Sequence, residues 1–172
     1  MIRSKIAFAA LTLIAACTLL SEARADTVRD PIMGFSITFP GKPEPAEFRD
    51  ELPNWVRRIV GWEQHDDSGF FSISSIQSLP DDQTFTSPER ALADLRPECL
   101  GEDTVVEERP LAIGGGAGVE VLTTRTTPDS AVRFTLARVM VRKNTGYCAI
   151  SSYYEDEDPS MTHAFVRSLK LD

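Results

Sequence analysis

The chain has 172 residues and a formal net charge of −8 at pH 7. A chain of this length builds one domain of ordinary size with a hydrophobic core of its own. The negative charge repels nucleic-acid phosphates and anionic membrane surfaces, so the composition argues against a nucleic-acid partner.

The first 25 residues have the three-part pattern of a secretory signal peptide. A basic start, residues 1–5, precedes an uncharged apolar run, residues 6–20, which is shorter than the ~20 residues of a membrane-spanning helix. Ala23-Arg24-Ala25 then places small residues at the two positions that a signal peptidase reads. The pattern predicts cleavage between Ala25 and Asp26, which gives a soluble periplasmic or secreted protein.

A second processing site lies earlier in the same segment. Ile14-Ala15-Ala16-Cys17 resembles a lipoprotein site, and a lipid on Cys17 would anchor the domain to a membrane as an envelope lipoprotein. Residues 18–20 continue the apolar run where a lipoprotein usually turns polar, so we favour cleavage before Asp26. An uncleaved N-terminal anchor is the third alternative. In all cases residues 26–172 form a single domain.

Strand patterns dominate the first part of this domain. Residues 26–31 are expected to be disordered, and residues 35–39 alternate apolar and polar side chains as a strand does. Residues 55–64 and 69–78 are two further strands, rich in β-branched and aromatic residues. Residues 65–69 are predicted to form the hairpin loop between them.

A helix is predicted to begin after Ser87. Ser87 is a good N-cap residue, and Pro88 suits the first helical position. Pro97 is expected to limit or kink the helix, and Gly101 ends the segment. Cys99 is therefore expected at the end of a helix.

The second half predicts a strand, a glycine turn, a meander and a last helix that Pro159 opens. The strands are predicted over residues 104–113, 118–127, 132–143 and 147–154, with the turn over residues 114–118. In the strand that begins at Val132, the side chains that point to one face and those that point to the other are both mainly apolar. Either a bulge shifts its phase, or helices cover both faces of the sheet.

Cys99 and Cys148 are the two cysteines outside the leader. An even pair in an exported chain predicts a disulfide, which would close a loop of about 50 residues and stabilise the fold by roughly 4 kcal/mol. A redox pair usually has the spacing Cys-x-x-Cys, which neither cysteine shows, and two isolated cysteines are a poor metal site.

The layout resembles that of a known family. The opening "GFSITFPGKP", the central "ERPLAIGGGAG" and the closing "FVRSLKL" are similar to segments of small bacterial envelope domains of the PsbP-like superfamily. The resemblance implies an α+β fold in which a central, largely antiparallel sheet has helices packed on both faces. It implies an envelope protein without known catalysis.

Neither a catalytic nor a cofactor site is predicted. His65 falls in the predicted hairpin loop and His163 in the last helix, and the chain has no Gly-x-Ser-x-Gly nucleophile elbow. The glycines of residues 114–118 lack the spacing of a dinucleotide site, and a strand follows them instead of a helix. We interpret them as a turn that needs glycine for positive φ.

The acidic run of Glu155, Asp156, Glu157 and Asp158 is a weak candidate for a metal site. Hard cations prefer several carboxylate oxygens, but four consecutive acids point in different directions. We interpret the run as a solvated loop that complements the start of the last helix. A second charged set, formed by the arginines at positions 125, 133, 138 and 142, is expected to be a salt-bridged sheet surface or a docking site for an anionic partner.

The sequence thus predicts an exported, non-catalytic accessory or binding module. The expected partner is another envelope protein, with no cofactor, no nucleic acid and no membrane contact unless Cys17 is lipidated. A small-ligand or divalent-cation binding protein is the first alternative, an envelope lipoprotein the second, and a hydrolase the third. The sequence leaves the oligomeric state open.

Overall fold

Two antiparallel sheets and two helices make up the part of the chain that the structure describes. The computed structural model describes residues 25–48, 54–67, 69–79 and 87–172, so Cys17 and the predicted signal segment lie outside it. The strands are β1 (Asp26–Asp30), β2 (Phe35–Phe39), β3 (Glu44–Pro45), β4 (Val56–Asp66), β5 (Gly69–Ser78), β6 (Thr104–Ile113), β7 (Gly116–Thr126), β8 (Val132–Arg142), β9 (Thr145–Tyr154) and β10 (Lys170–Leu171). The helices are α1 (Pro88–Leu100) and α2 (Ser160–Arg167).

The larger sheet has seven strands in the order β3-β4-β5-β9-β8-β7-β6. Every neighbouring pair in it is antiparallel, which confirms the predicted central antiparallel sheet. The smaller sheet has the order β1-β2-β10 and is also antiparallel. Within the described ranges, no helix is long and apolar enough to cross a membrane.

β8 runs through the middle of the domain without a bulge. Its pairing with β7 and with β9 shows no register shift, so its two sets of alternating side chains point to opposite faces. Leu136 and Met140 pack into the main core with Phe165 of α2. Ala137 packs in a separate cluster with Leu100 of α1. Burial on both sides explains why both sets of residues in β8 are apolar.

The main core lies where β2 packs on the larger sheet. Phe35 and Phe39 are fully buried, as the predicted alternation requires. The ring of Phe165 lies 4.8 Å from that of Phe39 and 5.4 Å from that of Phe71 in β5. Aromatic pairs at such distances contribute about 0.5–1.5 kcal/mol beyond their area burial. This cluster joins β2, β5 and α2.

β2 also joins two segments that are distant along the chain. Leu171 of β10 pairs with Phe35. The hydroxyl of Ser168 accepts a hydrogen bond of 2.8 Å from the backbone N–H of Thr38, which is 130 residues away. The smaller sheet therefore needs both the first and the last described strands.

The prediction that residues 26–31 are disordered is wrong. Residues 26–30 form β1, which pairs with β2 along its whole length, from Asp26 opposite Phe39 to Asp30 opposite Phe35. Val28 is buried in the main core. One buried side chain and a full set of backbone bonds to β2 order a segment whose composition is otherwise polar.

Two predicted turns are shorter in the structure. His65 does not lie in the hairpin loop, because β4 continues to Asp66 and places His65 opposite Phe70. A polar residue whose side chain is exposed can still make the backbone hydrogen bonds of a strand, so the polar residues here do not end β4. The glycine turn shrinks to Gly114 and Gly115, and β7 begins at Gly116.

The predicted start of α1 is confirmed. The hydroxyl of Ser87 accepts a hydrogen bond of 3.2 Å from the backbone N–H of Arg90. Pro97 lies inside the helix and does not end it, because the helix continues to Leu100. The N–H of Gly101 then donates to the carbonyl of Pro97 at 2.8 Å, and Gly101 adopts φ +63°.

The turn between β6 and β7 gives a stability prediction. Gly114 and Gly115 have φ of +52° and +76°, which strains any other residue by roughly 1–2 kcal/mol. A Cβ on Gly114 would also overlap the carbonyl oxygen of Leu171, whereas a Cβ on Gly115 would meet nothing within 4 Å. We expect Gly114→Ala to destabilise the fold more than Gly115→Ala, measured by urea unfolding. Equal losses would contradict the contact with β10.

Candidate ligand cavity and arginine cluster

A cavity of about 750 Å³ lies between α1 and the larger sheet. This volume is within the range of roughly 300–1,000 Å³ that is typical of small-molecule sites. β4 and β5 contribute Ile59 and Ile76, which are directly paired. The apolar lining comprises Trp55, Ile59, Ile76, Leu95 and Ile150, so the cavity can hold an apolar group.

The Cys99–Cys148 disulfide forms part of the cavity wall. The structure joins these two cysteines with their Cα atoms 6.0 Å apart, in agreement with the pairing expected from the sequence. Cys99 lies in the last turn of α1 and Cys148 in the middle of β9. The bond therefore holds the C-terminal part of α1 at a fixed distance above the sheet, while Ala91 packs on Val141 nearer its start.

The charged groups of the cavity are acidic. Asp94 and Glu98 lie one turn apart on α1, and both are exposed side chains at the cavity lining. Among the described residues that line the cavity, none is basic, and neither His65 nor His163 is present. The site thus combines an apolar interior with a negative side.

A second charged feature, the arginine cluster, surrounds the carboxylate of Glu120 in β7. Arg138 donates from Nε to Glu120 Oε2 at 2.8 Å, and Arg167 donates from Nη2 to Oε1 at 3.1 Å. Arg109 donates from Nη2 to the same Oε1. Three guanidinium groups from β6, β8 and α2 therefore hold one side chain that is 4% exposed.

The protonation of Glu120 follows from this arrangement. Burial acts to raise the pKa of Glu120, but the hydrogen bonds from Arg138, Arg167 and Arg109 outweigh it and hold the pKa below its ordinary value of 4.5. Glu120 is therefore a carboxylate at neutral pH. The cluster contains three positive charges and one negative charge, so it is positive within an acidic chain.

His163 lies beside the cluster, one turn before Arg167 on α2. Its ring contacts Tyr153 edge to face, with ring centroids 6.3 Å apart, and Tyr153 stacks on Phe134 at 5.4 Å. Burial lowers the pKa of His163, and the positive charge of Arg167 lowers it further. His163 is therefore largely neutral at pH 7.

The four arginines of the predicted meander do not form one surface. Arg125 and Arg133 lie 3.7 and 3.6 Å from the carboxylate of Asp103. Arg138 is directed to Glu120, with 10% of its side chain exposed. Arg133 and Arg138 are separated by an odd number of positions on the regular strand β8, so their side chains point to opposite faces and cannot share a patch.

The acidic run of residues 155–158 is exposed, as the sequence suggests. Glu157 accepts a hydrogen bond of 2.7 Å from the backbone N–H of Tyr154. Asp158 accepts hydrogen bonds from the N–H and the hydroxyl of Ser160, and these hold the pKa of Asp158 below its ordinary value. In the described ranges, no group of three or more His, Cys, Asp or Glu side chains is arranged to hold a metal ion.

Comparison with known proteins identifies the fold. No protein-family model matches the sequence, and no curated protein matches it. The solution structure of cyanobacterial PsbP (CyanoP) from Synechocystis sp. PCC 6803 superposes with a TM-score of 0.58 and 15% identity, covering 92% of this chain and 99% of that one. The fold is PsbP-like.

Two other solved structures are similar to this PsbP-like domain. A protein from Bacteroides thetaiotaomicron VPI-5482 gives a TM-score of 0.50 at 12% identity, covering 85% of this chain and 48% of that one. LpqN, which is involved in cell envelope biogenesis of Mycobacterium tuberculosis, gives 0.44 at 12% identity, covering 76% and 90%. At 15% identity the similarity to the cyanobacterial structure describes the fold, and it confirms the resemblance predicted from the sequence.

Neither main feature of this PsbP-like domain was predicted from the sequence. Glu120 lies between Val119 and Val121 and is the one acid in β7, and such a residue is a signal for a buried charge that needs a partner. Its partner Arg109 lies directly opposite it in β6, but that register is set by the short glycine turn. The cavity depends on the distance between α1 and the sheet, for which no local pattern exists.

Removal of the disulfide tests its role in holding α1. The double variant C99S/C148S should lose about 2–4 kcal/mol of the free energy of unfolding, because the unfolded chain regains the freedom of the open loop. Urea unfolding of the variant, and of the wild type with and without reductant, measures the effect. An unchanged midpoint in both comparisons would show that α1 is held by packing alone.

The low pKa of Glu120 predicts acid sensitivity. A carboxyl whose pKa is depressed by folding stabilises the fold above its unfolded pKa, and that contribution is lost as the pH falls through the folded pKa. Glu120→Gln should therefore cost about 3–5 kcal/mol at pH 7, since it leaves buried guanidinium charge unpaired, and progressively less as the pH falls below 4.5.

Glu108→Gln is the matched control for this prediction. Glu108 pairs one to one with Arg96, and both side chains are about one-third exposed. An exposed pair contributes at most about 1 kcal/mol. Urea unfolding of both variants at pH 7 and pH 3.5 measures the difference, and a pH-independent loss in Glu120→Gln would contradict the assignment.

Proposed function

We propose that this PsbP-like domain is an exported, non-catalytic binding module of the bacterial cell envelope, and that the cavity beside α1 holds a small ligand. The observation that carries the proposal is the apolar cavity of about 750 Å³ with the disulfide in its wall. Apolar clefts with a few polar groups are the usual form of a small-molecule site.

Two observations support export. β1 begins at Asp26, the residue that directly follows the predicted cleavage site, so cleavage there would keep every element that the structure describes. The disulfide is typical of an oxidising compartment such as the periplasm. Both fit cleavage after Ala25, and a lipid anchor at Cys17 remains the alternative.

The layer arrangement gives the cavity its position. We infer that α1 and α2 cover opposite faces of the larger sheet. Ala137, which packs near α1, and Leu136, which packs with α2, are adjacent in β8, and adjacent strand residues point to opposite faces. The cavity then belongs to the α1 face, and the aromatic core to the face that α2 and β2 share.

The lining selects the kind of ligand. The interior is apolar, and Asp94 and Glu98 place negative charge on one side of it with no basic residue among the described lining. A ligand with an apolar body and a positively charged end is complementary to both features. A carboxylate beside an apolar wall favours such a cation over an anion of the same size.

A non-catalytic role is supported by what lies at the cavity. Ser74, Ser75 and Tyr147 are the hydroxyl-bearing residues of the described lining, and no histidine lines the cavity with them. The hydroxyl of Tyr147 donates to the carbonyl of Met33 instead. A hydrolase of the serine type needs a base within hydrogen-bond reach of its nucleophile. Saturable hydrolysis of ester, peptide or phosphate substrates that is lost on changing one polar residue would overturn this part of the proposal.

Binding can be measured with two alkyl probes of equal chain length and opposite charge. Dodecyltrimethylammonium and dodecyl sulfate, both below micellar concentration, are titrated into a Trp62→Phe variant, in which Trp55 of the cavity is the fluorescent reporter. Trp62 is suited to this change because its buried ring N–H has no hydrogen-bond partner in the described part of the chain. We expect saturable binding with the cationic probe favoured.

Two serines of β5 provide a matched pair of variants. Ser74 lines the cavity, whereas Ser72, two positions along the same face of the strand, does not. Ser74→Phe should weaken binding of the cationic probe at least tenfold, and Ser72→Phe should leave it unchanged. Glu98→Gln should reduce the preference for the cation, and equal effects of the two phenylalanine variants would refute the cavity as the site.

A further inference from the structure

We infer that the outer arginines of the cluster, Arg109 and Arg167, form a binding site for a small oxyanion such as a carboxylate or a phosphate group. The site is separate from the cavity. None of its residues lines the cavity. The inference therefore stands whether or not the cavity holds a ligand.

The cluster has an excess of positive charge. One carboxylate, Glu120, receives three guanidinium groups. Glu108 in β6, by contrast, pairs with the single guanidinium of Arg96 in α1. A structural link alone needs one partner. The cluster is left with two uncompensated positive charges in a chain whose net charge is −8.

The two outer arginines are also exposed. Arg138 is 10% exposed and also donates to the backbone carbonyl of Arg167 at 3.1 Å, so it serves the interior. Arg109 and Arg167 are 48% and 45% exposed, respectively. Each guanidinium has five N–H donors, and each of these two uses Nη2 for Glu120. Within the described residues their other donors have no protein partner, and nearly half of each side chain is exposed.

The two outer arginines also lie close to each other. Arg109 and Arg167 donate to the same oxygen, Oε1 of Glu120, so their guanidinium groups lie side by side. Two adjacent forks can donate to the oxygens of one anion, and charge-assisted bonds of this kind are about twice as strong as neutral ones. Glu120 fixes both groups before a ligand arrives, which lowers the entropic cost of binding.

The groups around the site set its selectivity. Glu107 lies two positions before Arg109 on the same side of β6 and opposes an anion. His163, one turn before Arg167, is largely neutral there and its ring stacks edge to face on Tyr153. The site therefore offers a positive centre with an aromatic border on one side and one acid on the other.

The experiment is a titration of the wild-type protein with sodium phosphate and, separately, sodium acetate at pH 7 and low ionic strength, followed by the side-chain Nε signals of arginine in NMR spectra. We expect saturable shifts of the Arg109 and Arg167 signals. Saturation with either anion supports the site, and the tighter anion identifies its class. Non-saturating shifts with both anions would overturn the proposal.

Variants separate the site from general charge effects. Arg109→Gln and Arg167→Gln each leave Glu120 with two guanidinium partners, and each should weaken binding at least fivefold. Glu107→Gln should strengthen it two- to threefold, a gain that a merely structural role would not produce. Arg96→Gln, which removes a positive charge from a one-to-one pair, should leave binding unchanged, and an equal loss there would refute the site.

Discussion

The buried carboxylate of Glu120 is the constraint that fixes the positions of β6, β8 and α2. A carboxylate that is 4% exposed costs several kcal/mol unless it is paired and hydrogen-bonded. Its partners come from three separate elements, so the charge is satisfied only when all three are in place. Packing of the apolar core tolerates small shifts, whereas hydrogen bonds to one carboxylate do not. The cluster therefore specifies the arrangement of the helix and strands as well as stabilising it.

The position of the other helix, α1, is fixed by the disulfide and by one packing contact. α1 is held near its start by the packing of Ala91 on Val141 and near its end by the bond between Cys99 and Cys148. Between these points the helix does not fill the space above the sheet. A space of that size forgoes many favourable contacts, because protein interiors otherwise pack as densely as organic crystals. The covalent bond offsets that loss, so the domain keeps a cavity without giving up a fixed helix.

Local sequence patterns predicted most of the strands and helices, whereas the charged cluster depends on contacts between distant parts of the chain. The alternation of residues 35–39 and the cap at Ser87 were sufficient for β2 and the start of α1, because each depends on neighbours in the chain. The segment of β1 looked disordered because its composition is polar, although it pairs with β2, the next strand in the chain. The polar side chain of His65 suggested a loop, although an exposed strand position accepts it. The excess of arginine around Glu120 depends on the register of three strands, which the sequence does not contain as a local signal.

β2 lies between the first and the last strands of the described chain, and this order has a consequence for the order in which the domain folds. The hydroxyl of Ser168 and the backbone of Thr38 are separated by 130 residues, so the smaller sheet has high contact order. Contacts of this kind form late, since the entropy of closing a long loop must be overcome first. In a chain synthesised from its N-terminus, β2 emerges early and lacks β10 until residues 170 and 171 follow. Until then one edge of β2 is open to pairing with other chains.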